Sequence, residues 1–171
     1  MDHDARGSQR SPEQANIDSG AGWAFRRRAA DILQHGFVTE LHRRMLGDVW
    51  SGAGTFRRTE RNIGIEAWRI EVELRSLLDD VRYWIAQSVY PADETAVRFH
   101  HRLVAIHPFP NGNGRHARLM ADLLIERLGG TPFSWGGGNL VDIGEIRRRH
   151  VDALRSADAH DVGALVAFAR S

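Results

Sequence analysis

At 171 residues the chain has the length of one domain, enough to bury its own core without disulfides or a structural metal. Hydrophobic residues at 42% and charged residues at 26% describe an ordinary globular chain, and a net charge of +1 argues against a protein built to bind long nucleic acid. With no Cys and no Lys anywhere, thiol nucleophiles, zinc fingers, Walker A loops, kinase-type ATP lysines and Schiff-base chemistry are all excluded.

No apolar run approaches the ~20 residues of a membrane helix, and the first ten residues hold no secretory core, so the plain expectation is a cytoplasmic protein. Residues 1–22 are polar, carry scattered Gly, Ser and Pro, and lack periodicity, which predicts a flexible arm ahead of a domain spanning 23–171. From Trp23 to Trp50 apolar residues recur at helical spacing in two stretches, Trp23, Ile32, Leu33 and then Val38, Leu41, Met45, Leu46, Val49, separated by His35-Gly36. Thr55 to Ile70 mixes Thr, Phe, Ile and Trp with Arg around the turn residues Arg61-Asn62-Ile63-Gly64, which predicts a short, exposed β-hairpin. Helical periodicity returns with Val72, Leu74, Leu77, Leu78, Val81, Trp84 and Ile85, stops at Tyr90-Pro91, and resumes with Val97, Phe99, Leu103, Val104 and Ile106. Beyond a turn at 107–114, Leu119, Met120, Leu123, Leu124 and Leu128 predict a buried central helix that ends at Gly129-Gly130. A glycine loop, Ser134 to Gly138, then leads to one or two last helices between Val141 and Arg170. The fold class expected is all-α with one hairpin.

The informative stretch is His107-Pro108-Phe109-Pro110-Asn111-Gly112-Asn113-Gly114-Arg115-His116-Ala117-Arg118. Two prolines forbid a continuous helix through Phe109, while Asn-Gly-Asn-Gly can turn successive N–H groups into one concavity, a nest for an anion. That nest opens into a helix whose free amides and positive dipole end add to the attraction for phosphate. Arg115 and Arg118, three residues apart, lie about 60° apart on that helix and can reach one anion. His107, at the other lip, is placed to take a proton from an incoming hydroxyl. The end of the preceding helix favours its imidazolium form and nearby arginines favour the neutral ring, two influences that sequence leaves in balance. Phe109 is expected to plug the turn onto the core. The whole reads as a triphosphate clamp, made without lysine, beside a general base. Arg26–Arg28 and Arg147–Arg149 read as solvated faces, His42, His150 and His160 as surface or capping residues, and the five tryptophans as core or rim packing. A metal site from His100, His101, His107 and His116 is disfavoured because no carboxylate is spaced to join them.

These residues resemble the signature of the Fic/Doc family, H-x-F-x-[D/E]-G-N-G-R-x-x-R, with seven fixed residues agreeing in order. The resemblance runs from about Trp23 to Arg170 and is nearest the branch called mobile mystery protein B. It implies a helical domain that moves AMP from ATP to a Ser, Thr or Tyr hydroxyl of a target protein, in a toxin-like or regulatory role. The alternatives are a weakened module that only binds nucleotide or a partner, and a different donor or phosphotransfer chemistry on the same site. By resemblance His107 is the base, Gly112 to Gly114 the α/β-phosphate nest, Arg115 the phosphate clamp and Arg118 the γ-phosphate contact. The Thr55–Ile70 segment matches the flap that holds the target, with Asn62, Ile63 and Gly64 near the bound group. The departure is Asn111, where the family has an acidic residue for Mg²⁺; a neutral amide supplies no charge, so weaker metal dependence is expected. The family's inhibitory helix, S/T-x-x-x-E-G/N, finds no counterpart, since no Glu here precedes Gly or Asn. A separate antitoxin-like inhibitor, no inhibition, or a longer natural N-terminus follows from that.

Overall fold

A computed structural model describes residues 11–137 and 142–171, and the expectations that fall on residues 1–10 and on the Gly138–Val141 stretch lie outside the described residues. Among the described residues seven α-helices and one 3₁₀ turn make up the architecture: α1 (Pro12–Arg26), α2 (His35–Leu46), the 3₁₀ turn (Ala67–Arg69), α3 (Ile70–Ala86), α4 (Ala92–Ile106), α5 (Asn113–Arg127), α6 (Ile143–Asp158) and α7 (Gly163–Arg170). No strand occurs among the described residues, and no helix of theirs is long and apolar enough to cross a membrane.

α5 is the axis. It buries Asn113, His116, Ala117, Leu119, Met120, Ala121, Leu123, Leu124 and Ile125, and lies against α4 along its length. α3 and α4 each bury one apolar stripe, Leu74, Leu77, Leu78 and Val81 on the first, Ala96, Val97, Phe99 and Leu103 on the second. Pro91 caps the start of α4, and the Gly130 N–H closes the end of α5 on the Ile125 carbonyl at 2.9 Å.

Two expectations are corrected here. Residues 12–22 form most of a helix rather than an arm: Ser11 Oγ accepts from the Gln14 N–H at 3.2 Å, Pro12 opens the first turn, and Asn16, Gly20 and Ala24 face inward. These small or polar inward residues hide the periodicity. Gly20 lets α1 approach α2 so closely that a Cβ there would sit 2.9 Å from Met45 Cα, and Asn16 Nδ2 donates to Asp48 at 2.7 Å. Ile32 and Leu33, read as helical, lie in the turn before α2.

The second correction concerns Thr55–Ile70, which forms no hairpin but a coil wound around one side chain. Arg57, 3% exposed, donates to the carbonyls of Thr59 (3.1 Å), Ile65 (2.5 Å), Ile106 (3.2 Å) and His107 (2.6 Å). A guanidinium that satisfies both ends of the segment replaces the cross-strand ladder, and two of its acceptors are the free carbonyls ending α4.

Candidate active site

The turn between α4 and α5 is set by its two ends. His107 caps α4 in the left-handed conformation (φ 52°), a strain of about 1–2 kcal/mol for a side-chain-bearing residue, and the Arg57 hydrogen bond to its carbonyl holds it there. Gly112 begins α5 with φ 75°; a Cβ at this position would collide with Leu46 Cδ1 and press on Trp50 Cζ3 at 3.3 Å. Between them Phe109 is fully buried, with ring centroid distances of 3.7 Å to His42, 5.1 Å to His116 and 5.5 Å to Phe56.

Asn113 is turned away from solvent. Its amide donates to the Phe109 carbonyl (2.7 Å) and its carbonyl accepts from the Phe109 N–H (2.9 Å), so the side chain locks the turn and leaves a ligand only its main-chain N–H. Among the described residues no backbone carbonyl or side chain accepts from the amides of Gly112, Asn113, Gly114 and Arg115, the first free donors of the helix. Nothing lies within 4 Å of where a Gly114 Cβ would be, which leaves that amide approachable.

An open cavity of about 680 Å³ gathers His107, Asn111, Gly112, Asn113, Gly114, Arg115 and Arg118, together with Glu13, Trp50, Pro110 and Arg147. That volume is in the range of sites for small organic ligands. Arg118 is largely buried, and among the described residues it makes no hydrogen bond or ion pair; burial, then Arg115, pulls its pKa below the usual arginine value, yet it stays a cation. Arg115 is paired with Glu13 of α1 and stacks over Trp50 at 5.5 Å. Two arginines lining one cavity with four amides that spend no hydrogen bond among the described residues, against one carboxylate paired to Arg115, make a concavity that favours a multiply charged anion.

His107, half-buried, holds its pKa below 6.5, chiefly through desolvation and then through the charges of Arg57 and Arg61. The balance that sequence leaves open is settled toward the neutral ring, the form that accepts a proton. Gly64 packs directly behind it: a Cβ there would be 2.7 Å from His107 Cβ and from Arg57 Nη2. Asn62 and Ile63 are exposed and do not line the cavity.

A metal centre does not fit these residues. No group of three or more His, Asp or Glu side chains is disposed to hold an ion among the described residues; Asn111 offers one neutral amide, and the carboxylate of Glu13 is engaged with Arg115. Of the other histidines, His101 meets Asp158 (2.7 Å), His116 meets the Val38 carbonyl (2.9 Å) and His100 meets His150 ring to ring (3.2 Å). His42 is 1% exposed and His150 stacks on Phe168 at 4.9 Å, so only His160 is the surface residue expected. Glu13, Trp50 and Arg147 line the cavity and sequence reasoning missed them there; Arg147 is exposed, as a solvated face is expected to be. Trp68, by contrast, is 81% exposed rather than packed.

The Fic/DOC family matches residues 32–125, more than half the chain. "Protein adenylyltransferase Fic" of Drosophila grimshawi is 32% identical over 136 residues, covering 77% of this chain and 26% of that protein. The structure is similar to Fic-1 (residues 134–508) from C. elegans with a TM-score of 0.73 and 25% identity, covering 96% of this chain and 50% of that one. A Fic domain containing signaling protein from Bacteroides thetaiotaomicron shares the fold at a TM-score of 0.75 and 20% identity, over 91% and 66% of the two chains. The chain thus spans about a quarter of the length of the curated relative.

Proposed function

The chain belongs to the Fic/DOC family, and from that premise we propose that it is a protein adenylyltransferase, of the mobile mystery protein B branch, moving AMP from ATP to a Ser, Thr or Tyr hydroxyl. The observation that carries the reading is a neutral His107 lining the same cavity as Arg118 and as four amides that spend no hydrogen bond among the described residues. His107 removes the hydroxyl proton as the oxygen attacks the α-phosphorus. An O–P bond forms, the bond to the β-phosphate oxygen breaks, and pyrophosphate leaves. The amides of Gly112–Arg115 and the two guanidiniums bind the phosphate chain and stabilise the charge that collects on the departing group.

Nucleotide entry has to displace Glu13 from Arg115. The coil holding Asn62, Ile63 and Gly64 runs past the base and offers exposed main chain along which a target segment adds. A small antitoxin-like inhibitor is part of this reading because Glu13 pairs with Arg115 and not with Arg118, whose only nearby opposite charge among the described residues is Asp122; co-expression with a candidate inhibitor lowers modification if this holds and leaves it unchanged if not. Asn111 favours a second reading, a module that binds nucleotide and transfers nothing. Incubating the chain and its His107→Ala variant with lysate and each α-labelled nucleoside triphosphate separates the two. Label transferred from ATP and lost in the variant supports transfer; nucleotide bound with no label in either chain supports the module.

A further inference from the structure

His42 lies on α2, 65 residues before the base in sequence, and at 1% exposure it is buried behind the anion turn. A buried imidazole costs free energy unless both nitrogens find partners. Here both do, and the partners are main-chain atoms of two different loops. The Gly54 N–H donates to Nδ1 at 2.9 Å, which makes Nδ1 the acceptor and puts the ring proton on Nε2. Nε2–H then donates to the Asn111 carbonyl at 2.8 Å, while the ring face lies 3.7 Å from Phe109 at an interplanar angle of 14°.

The Asn111 carbonyl shares a peptide plane with the Gly112 N–H. All peptide bonds described are trans, so the two bonds point in opposite directions. Fixing the carbonyl inward, onto His42, therefore fixes the Gly112 N–H outward, onto the cavity that Asn111 and Gly112 line. Without that anchor the plane is free to rotate, because glycine at φ 75° tolerates either orientation and no other described group bonds the Asn111 carbonyl.

Resting on the phosphate-site reading above, we infer that His42 is a positioning residue: it sets the Asn111–Gly112 peptide plane so that the Gly112 amide joins the donors that grip the phosphate chain. A phenylalanine would pack on Phe109 equally well, so packing alone does not account for a buried ring with two polar atoms. Burial pulls its pKa down to about 4, which keeps the ring neutral and the donor–acceptor order fixed at neutral pH.

The test uses the full chain and inorganic pyrophosphate, ATP and adenosine as probes. His42→Phe keeps the stack and loses both hydrogen bonds; His42→Gln keeps a donor within reach of the Asn111 carbonyl. The expected result is about a tenfold weaker affinity of His42→Phe for pyrophosphate and ATP, unchanged affinity for adenosine, and recovery of most of the loss in His42→Gln. Equal affinity of His42→Phe and the parent for pyrophosphate overturns the inference, as does an equal loss for all three probes. If the substituted chains fail to fold, ¹⁵N spectra of the parent decide. Nε2 protonated and Nδ1 bare, with the Gly112 amide shifting on pyrophosphate addition, supports it; the reverse tautomer or an unmoved Gly112 amide overturns it. A parent chain that does not bind pyrophosphate at all refutes the phosphate-site reading, and this inference falls with it.

Discussion

His107 has the sharpest consequence at the scale of single residues. Its replacement by Ala is expected to lower transfer by about 10²- to 10⁴-fold while leaving ATP affinity within a few-fold of the parent, read by label transfer beside a binding titration. Because the folded-state pKa lies below 6.5, the proton-accepting form is already dominant at neutrality. The rate should be flat from about pH 7 to 8 and fall only as pH drops below the ordinary histidine range; a rate still climbing between pH 7 and 8 would show another base. Asn111→Asp adds a carboxylate at the anion turn, so rate and Mg²⁺ dependence are expected to rise together, measured by titrating Mg²⁺ against both chains. Motif residues were legible one by one because their chemistry is local: a glycine that must take a positive φ, an imidazole at a helix end, arginines three apart. His42 was not, since nothing in its neighbours Leu41 and Arg43 marks a side chain whose partners, Gly54 and Asn111, are distant main-chain atoms.

At the level of elements, α1 and the coil before α3 decide access. Glu13 and Arg115 are each about one-third exposed, and such a pair is worth about 0–1 kcal/mol. Glu13→Gln is therefore expected to tighten ATP binding by no more than about fivefold, with melting temperature nearly unchanged; weaker binding would contradict the competition. Both elements were misread from sequence for different reasons. The Ser11-Pro12-Glu13 start carries an N-cap residue, a first-turn proline and an acidic residue, local helix-start chemistry that a reading from apolar periodicity does not register. The coil's order depends on Arg57 reaching carbonyls on α4, and no local pattern reports a contact 49 or 50 residues away. By contrast α3, α4 and α5 were plain in sequence, since each buries a stripe of large aliphatic residues on a long helix.

Among the described residues five buried or half-buried histidines have depressed pKa values, each chiefly through desolvation: His42 and His150 at about 4, His100 and His116 at about 3, and His107 below its usual 6.5. A base whose folded pKa is below its unfolded value binds more protons when unfolded. Its stabilising contribution is full above 6.5 and is lost as pH falls toward the folded pKa, with a limiting slope of about 1.4 kcal/mol per pH unit for each group. Asp122, pushed up to about 6 by burial, acts in the opposite sense and offsets about one histidine between pH 6 and 4. Melting temperature is thus expected to fall steeply from pH 6.5 to 4.5, checked by calorimetry; a flat profile would mean the rings are charged or exposed. Composition and periodicity made the helical class legible, whereas the His100–His150 contact joins α4 to α6 across 50 residues and leaves no trace in either helix's pattern. A single structure of the His107→Ala chain with ATP tests the central claim most directly. The account predicts the α- and β-phosphates against the Gly112–Arg115 amides, Arg118 on the γ-phosphate and Glu13 displaced. ATP seated elsewhere, with that turn empty and Glu13 still on Arg115, would contradict it.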